Sequence, residues 1–170
     1  MSEPMANVEL EKSLISALML KDGSAIQEVT DLLNAEDFYR PEHRIIYETL
    51  ERLYGRGTPI NVLLVENELR ATGDIKKVTR QYLFSLVNLE YTTGRVVNYA
   101  KIIREKALLR RLIEAGHELA DAASQGRGEI TDILENAEKK ILSVTTRNNQ
   151  TGFEALSNVV KSSFDRIQHI

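Results

Sequence analysis

Histidines, clustered carboxylates and glycine-rich turns are the usual raw material of an active site, and this chain does not space them for one. Its nine glycines stand at 23, 55, 57, 73, 94, 116, 126, 128 and 152. None opens a G-x-x-x-x-G-K-[ST] loop or a G-x-G-x-x-G turn, so no run of backbone amides is arranged to cradle a triphosphate. His43, His117 and His169 are isolated in sequence, without the i, i+4 pairing that puts two imidazoles on one metal. The reading is therefore no metal site and no cofactor in this chain. His43 follows Pro41 at a helix start and reads as a packing or hydrogen-bonding histidine rather than a general base. Glu36 and Asp37 read as acidic residues at a helix N-terminus, where they complement the macrodipole. No catalytic residue is expected.

The remaining candidate chemistry is phosphate contact. Lys101, Arg104, Lys106, Arg110 and Arg111 lie close together, with Glu105 among them. On a helix they read first as a solvated face. The alternative is a module that binds single-stranded DNA through residues 101–111, with Arg104, Arg110 and Arg111 on the phosphates. No aromatic residues interleave them, so there is no stacking platform, and such binding would be weak and strongly salt-dependent.

The elements that must position these residues are helices. Leu108, Leu112, Ala115, Leu119 and Ala122 recur at spacings of 4, 3, 4 and 3, and Ile130, Leu134, Ala137, Ile141 and Val144 repeat the rhythm after Gly126 and Gly128. That alternation keeps one stripe on one side of each helix, and the two-glycine turn predicts an antiparallel hairpin over 101–145 with these residues as its seam. Leu109, Ile113, Ile133 and Leu142 fall off the seam and predict a further, protein-binding face.

Ahead of the hairpin the chain reads as a small bundle over 1–100. Asn7 is the expected N-cap of a helix with Leu10, Leu14, Ala17 and Leu18 on one stripe. A short second helix carries Ile26, Val29, Leu32 and Leu33, with Ser24 as its cap. Pro41 suits the first turn of a third helix, where its missing N–H costs nothing, and Gly55 and Gly57 stop that helix. Asn61 caps a fourth helix that Gly73 closes. Gln81–Val87 is a fifth, and residues 88–94 are loop. Asn98 is expected to cap the long hairpin helix.

Residues 146–170 read as a polar linker followed by a separate amphipathic helix. Its packing residues Phe153, Leu156, Val160, Phe164 and Ile167 are spaced by 3, 4, 4 and 3. The chain is expected to continue beyond Ile170. The fold class is thus all-α: a globular helical bundle, a protruding antiparallel two-helix hairpin and a linker helix. An apolar content of 42% and charged content of 28% suit a water-soluble protein, and the formal charge of −3 provides no global attraction to nucleic acid. No apolar run approaches the ~20 residues of a membrane span. With no cysteine, disulfides are excluded, which fits a cytoplasmic protein.

Three runs resemble the bacterial replicative DNA helicases of the DnaB family. NVELEKSLISALML at 7–20 resembles the opening N-x-E-A-E-x-x-x-L-G-A-x-L, and DFYRPEHRIIY at 37–47 is similar to D-F-Y-R-P-x-H-R-x-I-F almost residue for residue. YAKIIREKALLRRLI at 99–113 is similar to Y-A-x-I-V-R-E-K-x-x-L-R-x-L-I. Departures are visible too. Ser16 replaces the family's glycine and Leu10 its alanine. The Gly-Gly before the tyrosine of the fifth helix is replaced around Val78–Gln81, and the V-P-T-A-x-N loop reads NLEYTTGR at 88–95. The resemblance implies the N-terminal collar of a ring helicase, non-catalytic in itself. Hairpins pair between neighbours to give dimers and a trimer of dimers within a hexamer. ATP and Mg are expected only in motor domains outside this chain, with DNA passing through the full-length ring. The linker helix packs on an adjacent subunit's motor domain. The collar also docks the C-terminal domain of primase, for which the resemblance implies Tyr82, Ile113, Leu119 and Ile133, with Leu109 beside them; a helicase loader or phage protein is the alternative occupant. Leu119 stands in two roles at once, in the seam and in the docking set.

Overall fold

The computed structural model describes residues 6–20, 23–87 and 95–146. The expected loop at 88–94, the linker at 147–152 and the linker-helix residues Phe153, Leu156, Val160, Phe164 and Ile167 lie outside the described residues. Every long element that is described is a helix, and no strand occurs among these residues. None of the described helices is long and apolar enough to cross a membrane.

The helices begin and end where local chemistry tells them to. Helix α1 (Val8–Met19) is capped by Asn7, whose side chain accepts from the Leu10 N–H at 3.0 Å. Helix α2 is one short turn, Ile26–Val29. Its cap position is Ala25 rather than Ser24, no side chain caps it, and Leu32 and Leu33 lie beyond its end. Helix α3 (Pro41–Gly55) has proline in its first turn. Asn61 caps α4 (Val62–Thr72) by accepting from the Leu64 N–H at 2.9 Å, and Gly73 ends that helix with φ 83°. Helix α5 spans Arg80–Val87 and α6 spans Val96–Gln125. Asn98 is therefore inside the first turn of α6, not its cap. A last helix, α7, covers residues 130–146.

Two compact units emerge, Met1–Ala107 and Leu108–Ile170. The division falls after Ala107 instead of at residue 100 because Ala100, Ile103 and Ala107 are each no more than 2% exposed. Their small or branched side chains make the start of α6 part of the first unit. That unit has a continuous core in which Leu14, Ile15, Leu18, Ile26, Phe38, Ile46, Tyr47, Leu50, Leu69 and Leu83 are fully enclosed. Gly23 shows how tight it is. Its φ is +79°, and a Cβ there would lie 2.6 Å from the Ile60 Cβ.

Candidate interaction site

Two constellations stand out, one in each unit. In the first unit, the run Asp37–Arg44 is a set of interlocking roles. Asp37 accepts from the Asn34 N–H at 2.8 Å and closes a capping box around the turn Ala35–Asp37. Phe38 is enclosed in the core. The Tyr39 N–H donates to Glu11 Oε2 at 2.7 Å and the Arg40 N–H to Oε1 at 3.4 Å. His43 Nδ1 lies 2.7 Å from the same Oε1. Arg44 Nε returns to the Phe38 carbonyl at 2.7 Å.

Glu11 and His43 are 1% and 0% exposed, so their polar atoms depend on these partners. The other face of the imidazole is also used: Nε2 is 2.5 Å from the Tyr82 hydroxyl, and the two rings stack at 20° with centroids 5.9 Å apart. Burial, the largest cause, pushes the Tyr82 phenol up to about 12, against a lowering contribution from Arg40 and helped by Glu42, Glu11 and Glu9. The phenol therefore keeps its proton and donates it to Nε2, while Nδ1–H donates to Glu11, the tautomer that satisfies every group. This triad ties α1, α3 and α5 together. It is a structural latch in which the carboxylate, both ring nitrogens and the phenol are paired.

The partner of His43 was discoverable in part. Glu11 falls three residues before Leu14 and seven before Leu18, inside the apolar arc of α1, and a carboxylate placed there needs a buried donor. Which donor it would find, 32 residues away, local pattern could not say.

The second constellation is the hairpin. Within the second unit, residues 108–125 of α6 and α7 run antiparallel. Lys140 Nζ pairs with Glu118 Oε2 at 2.7 Å, and a cleft of about 480 Å³ near the turn is lined by Leu119, Ala122 and Ala123 from one helix and Ile133, Leu134 and Ala137 from the other. Gly126 and Gly128 make the turn with φ 56° and 89°, values that favour glycine.

The inner faces of the helices differ from the expected seam. Ala115 is 1% exposed, and Leu108, Leu119, Ile133, Ala137 and Val144 are half-buried. Leu112, Ile130, Leu134 and Ile141, also expected in the seam, are 52%, 65%, 56% and 46% exposed. On α7 the inner stripe is 133, 137, 140 and 144, turned by about 50° from 130, 134, 137, 141 and 144 at roughly 100° per residue. Ile133, expected to face outward, is thus turned inward. Lys140, which pairs with Glu118 on the other helix, lies on this inner stripe beside Ala137. Leu119 takes the inner place.

Leu112 on α6 and Ile130, Leu134 and Ile141 on α7 are thus left exposed, and Leu109, Ile113 and Leu142 are exposed as well, at 42%, 48% and 62%. Tyr82 belongs to the first unit and is half-buried, its hydroxyl committed to His43; the other members of the expected docking set belong to the second unit. Arg104, Arg110 and Arg111 are half-buried and each is engaged by other groups, unlike a freely solvated basic face. Among the described residues no three of His, Cys, Asp or Glu converge as a metal site.

A helical unit with every part of a buried polar latch matched, followed by a helical hairpin with exposed aliphatic side chains, defines an all-α domain. The profile of the DnaB-like helicase N-terminal domain matches residues 3–105, and the chain belongs to that family. The replicative DNA helicase DnaB of Leifsonia xyli subsp. xyli is 32% identical over 166 residues, 97% of this chain and 36% of the relative. Replicative DNA helicase DnaC of Bacillus subtilis is 33% identical over 168 residues, 98% of this chain and 37% of the relative. The crystal structure of the N-terminal domain of DnaB helicase from Mycobacterium tuberculosis superposes with a TM-score of 0.77 at 34% identity, covering 84% of this chain and 99% of that one. The chain thus spans little more than a third of those two helicases and corresponds to their N-terminal domain.

Proposed function

We propose that this chain is the collar of a replicative DNA helicase, a non-catalytic domain that sets ring assembly through its hairpin and docks primase. The observation that carries the reading is the set of exposed aliphatic side chains on the hairpin, Leu109, Leu112, Ile113, Ile130, Leu134, Ile141 and Leu142. Complete burial of such a side chain is worth ~1.5–3 kcal/mol, so covering the exposed half of each contributes about 1 kcal/mol per residue. Association entropy offsets much of that sum, which suits a reversible contact. The occupant that fits this apolar set is the same set on a second copy.

Sedimentation equilibrium tests this. The chain should self-associate, and Leu134→Asp with Ile141→Asp should leave a helical monomer by circular dichroism. A chain that stays monomeric at high concentration overturns the reading. Primase docking rests on Ile113 and Leu109 of that set. Ile113→Asp should abolish binding of the primase C-terminal domain while the helical signal is kept, and unchanged binding sinks the assignment. The same assay with a helicase loader distinguishes the alternative occupant, and a salt titration with single-stranded DNA tests residues 101–111. With no phosphate loop in its sequence, the chain leaves ATP and Mg to the remainder of such a helicase.

A further inference from the structure

The hairpin is electrically polar along its length. Near its turn stand Asp121, Glu129, Asp132 and Glu135, all exposed, with Arg127 the one cation among them. At the opposite end of the second unit, residues 108–112 carry Arg110 and Arg111, and residues 142–146 carry no charge. Between the ends the charges are mixed, Glu114, Glu118 and Glu138 with Lys139 and Lys140, and Lys140 is closed on Glu118 at 2.7 Å. The chain's net charge of −3 hides this division. Along the helices, Arg110 and Arg111 lie roughly 15 Å further from the turn than Asp132 and Glu135, at 1.5 Å per residue. That exceeds the ~10 Å over which a charge is felt through 0.1 M salt. The two ends therefore do not cancel, and each acts on whatever is laid against it.

A second hairpin can be laid against the first in two orientations. With turn beside turn, carboxylates meet carboxylates and arginines meet arginines. With turn beside base, each end meets its opposite, and a two-fold axis makes that contact twice. We infer that two copies pair their hairpins antiparallel, Arg110 and Arg111 of one against Asp132 and Glu135 of the other, and that this charge polarity sets the orientation. The inference rests on the self-association proposed above and adds its geometry. The aliphatic side chains supply the attraction, and the charges choose between two ways of covering them.

Reversing one end at a time separates the orientations. In sedimentation equilibrium of the full 170-residue chain, Arg110→Glu with Arg111→Glu should weaken self-association about tenfold, because each exposed pair is modest but counted twice. Asp132→Lys with Glu135→Lys should do the same, and all four substitutions in one chain should restore the parent's dissociation constant. In the turn-to-turn orientation each reversal exchanges one like pair for another, so unchanged dissociation constants in both double variants overturn the inference. The parent chain gives a reading that needs no variant. Its self-association should weaken as NaCl is raised from about 0.05 M to about 0.3 M, and strengthening with salt overturns the antiparallel pairing. Leu134→Asp keeps the two readings apart. If it weakens self-association while the charge reversals do not, the orientation alone is wrong. If it leaves self-association unchanged, the hairpin interface is wrong and the orientation falls with it.

Discussion

The two units of this chain handle polarity in opposite ways. The first hides polar groups and matches them: Glu11 and His43 are buried, yet the carboxylate and both ring nitrogens have partners. The second leaves large aliphatics in water. Ala115 is its only fully buried apolar residue among those described, while seven leucines and isoleucines are 42% to 65% exposed. A two-helix hairpin has too little interior to enclose both of its sides. The contrast separates a unit that encloses its apolar side chains from one that leaves many of them exposed, and the assembly proposed above would draw on the second.

The largest expected effect attacks the complete unit. Glu11→Ala strips the partner from His43 and from the Tyr39 and Arg40 amides, and should cost about 3 kcal/mol or more in urea unfolding. Glu11→Gln should recover part of that loss. Gly23→Ala should cost about 2–3 kcal/mol, because the left-handed backbone disfavours a Cβ and Ile60 occupies its place. Ser16→Ala should go the other way. The Ser16 hydroxyl is buried without a hydrogen-bond partner, so its removal should stabilise the chain by about 1 kcal/mol, read as a higher urea midpoint.

Tyr82 gives a pH-dependent version of the same comparison. Its phenol is raised from 10.0 to about 12 in the folded chain, so above pH 10 the unfolded chain releases this proton first. Stability contributed by the protonated phenol is intact below pH 10 and is lost as pH rises toward 12. Melting temperatures over that window should fall more steeply in the parent chain than in Tyr82→Phe, and equal slopes would remove the phenol from the latch. The smallest effect on stability belongs to the hairpin. Leu134→Asp should change unfolding by no more than about 0.5 kcal/mol, as at an ordinary surface position, while weakening self-association. A large loss of stability there would show that Leu134 is core, and the contrast between the units would break.

Much of the first unit was legible before any tertiary information, because its boundaries are set by neighbours in sequence. Asn7, Pro41, Asn61 and Gly73 act within a few residues of themselves, and each sits where its chemistry predicts. The DFYRPEH run could be read as a family signature without any knowledge of what it does. Its meaning came from α1 and α5, which place Glu11 and Tyr82 against His43 across 32 and 39 residues. Asn98 shows the converse: a good capping residue was overruled because Val96 is buried and helix formation starts there.

The hairpin marks the boundary between the two kinds of information most sharply. Sequence by itself determined that two amphipathic helices flank a two-glycine turn, and that more aliphatic residues are present than one seam can hold. Only the tertiary structure decided which stripe is inside. Two overlapping stripes on α7 share Ala137 and Val144, and the one that turns inward carries Lys140, which pairs with Glu118 on the other helix. Ile133 and Leu119 are turned inward, and Leu112, Ile130, Leu134 and Ile141 are left outside. Hydrophobic periodicity reports which residues avoid water; it carries no information on which charged groups two helices bring together.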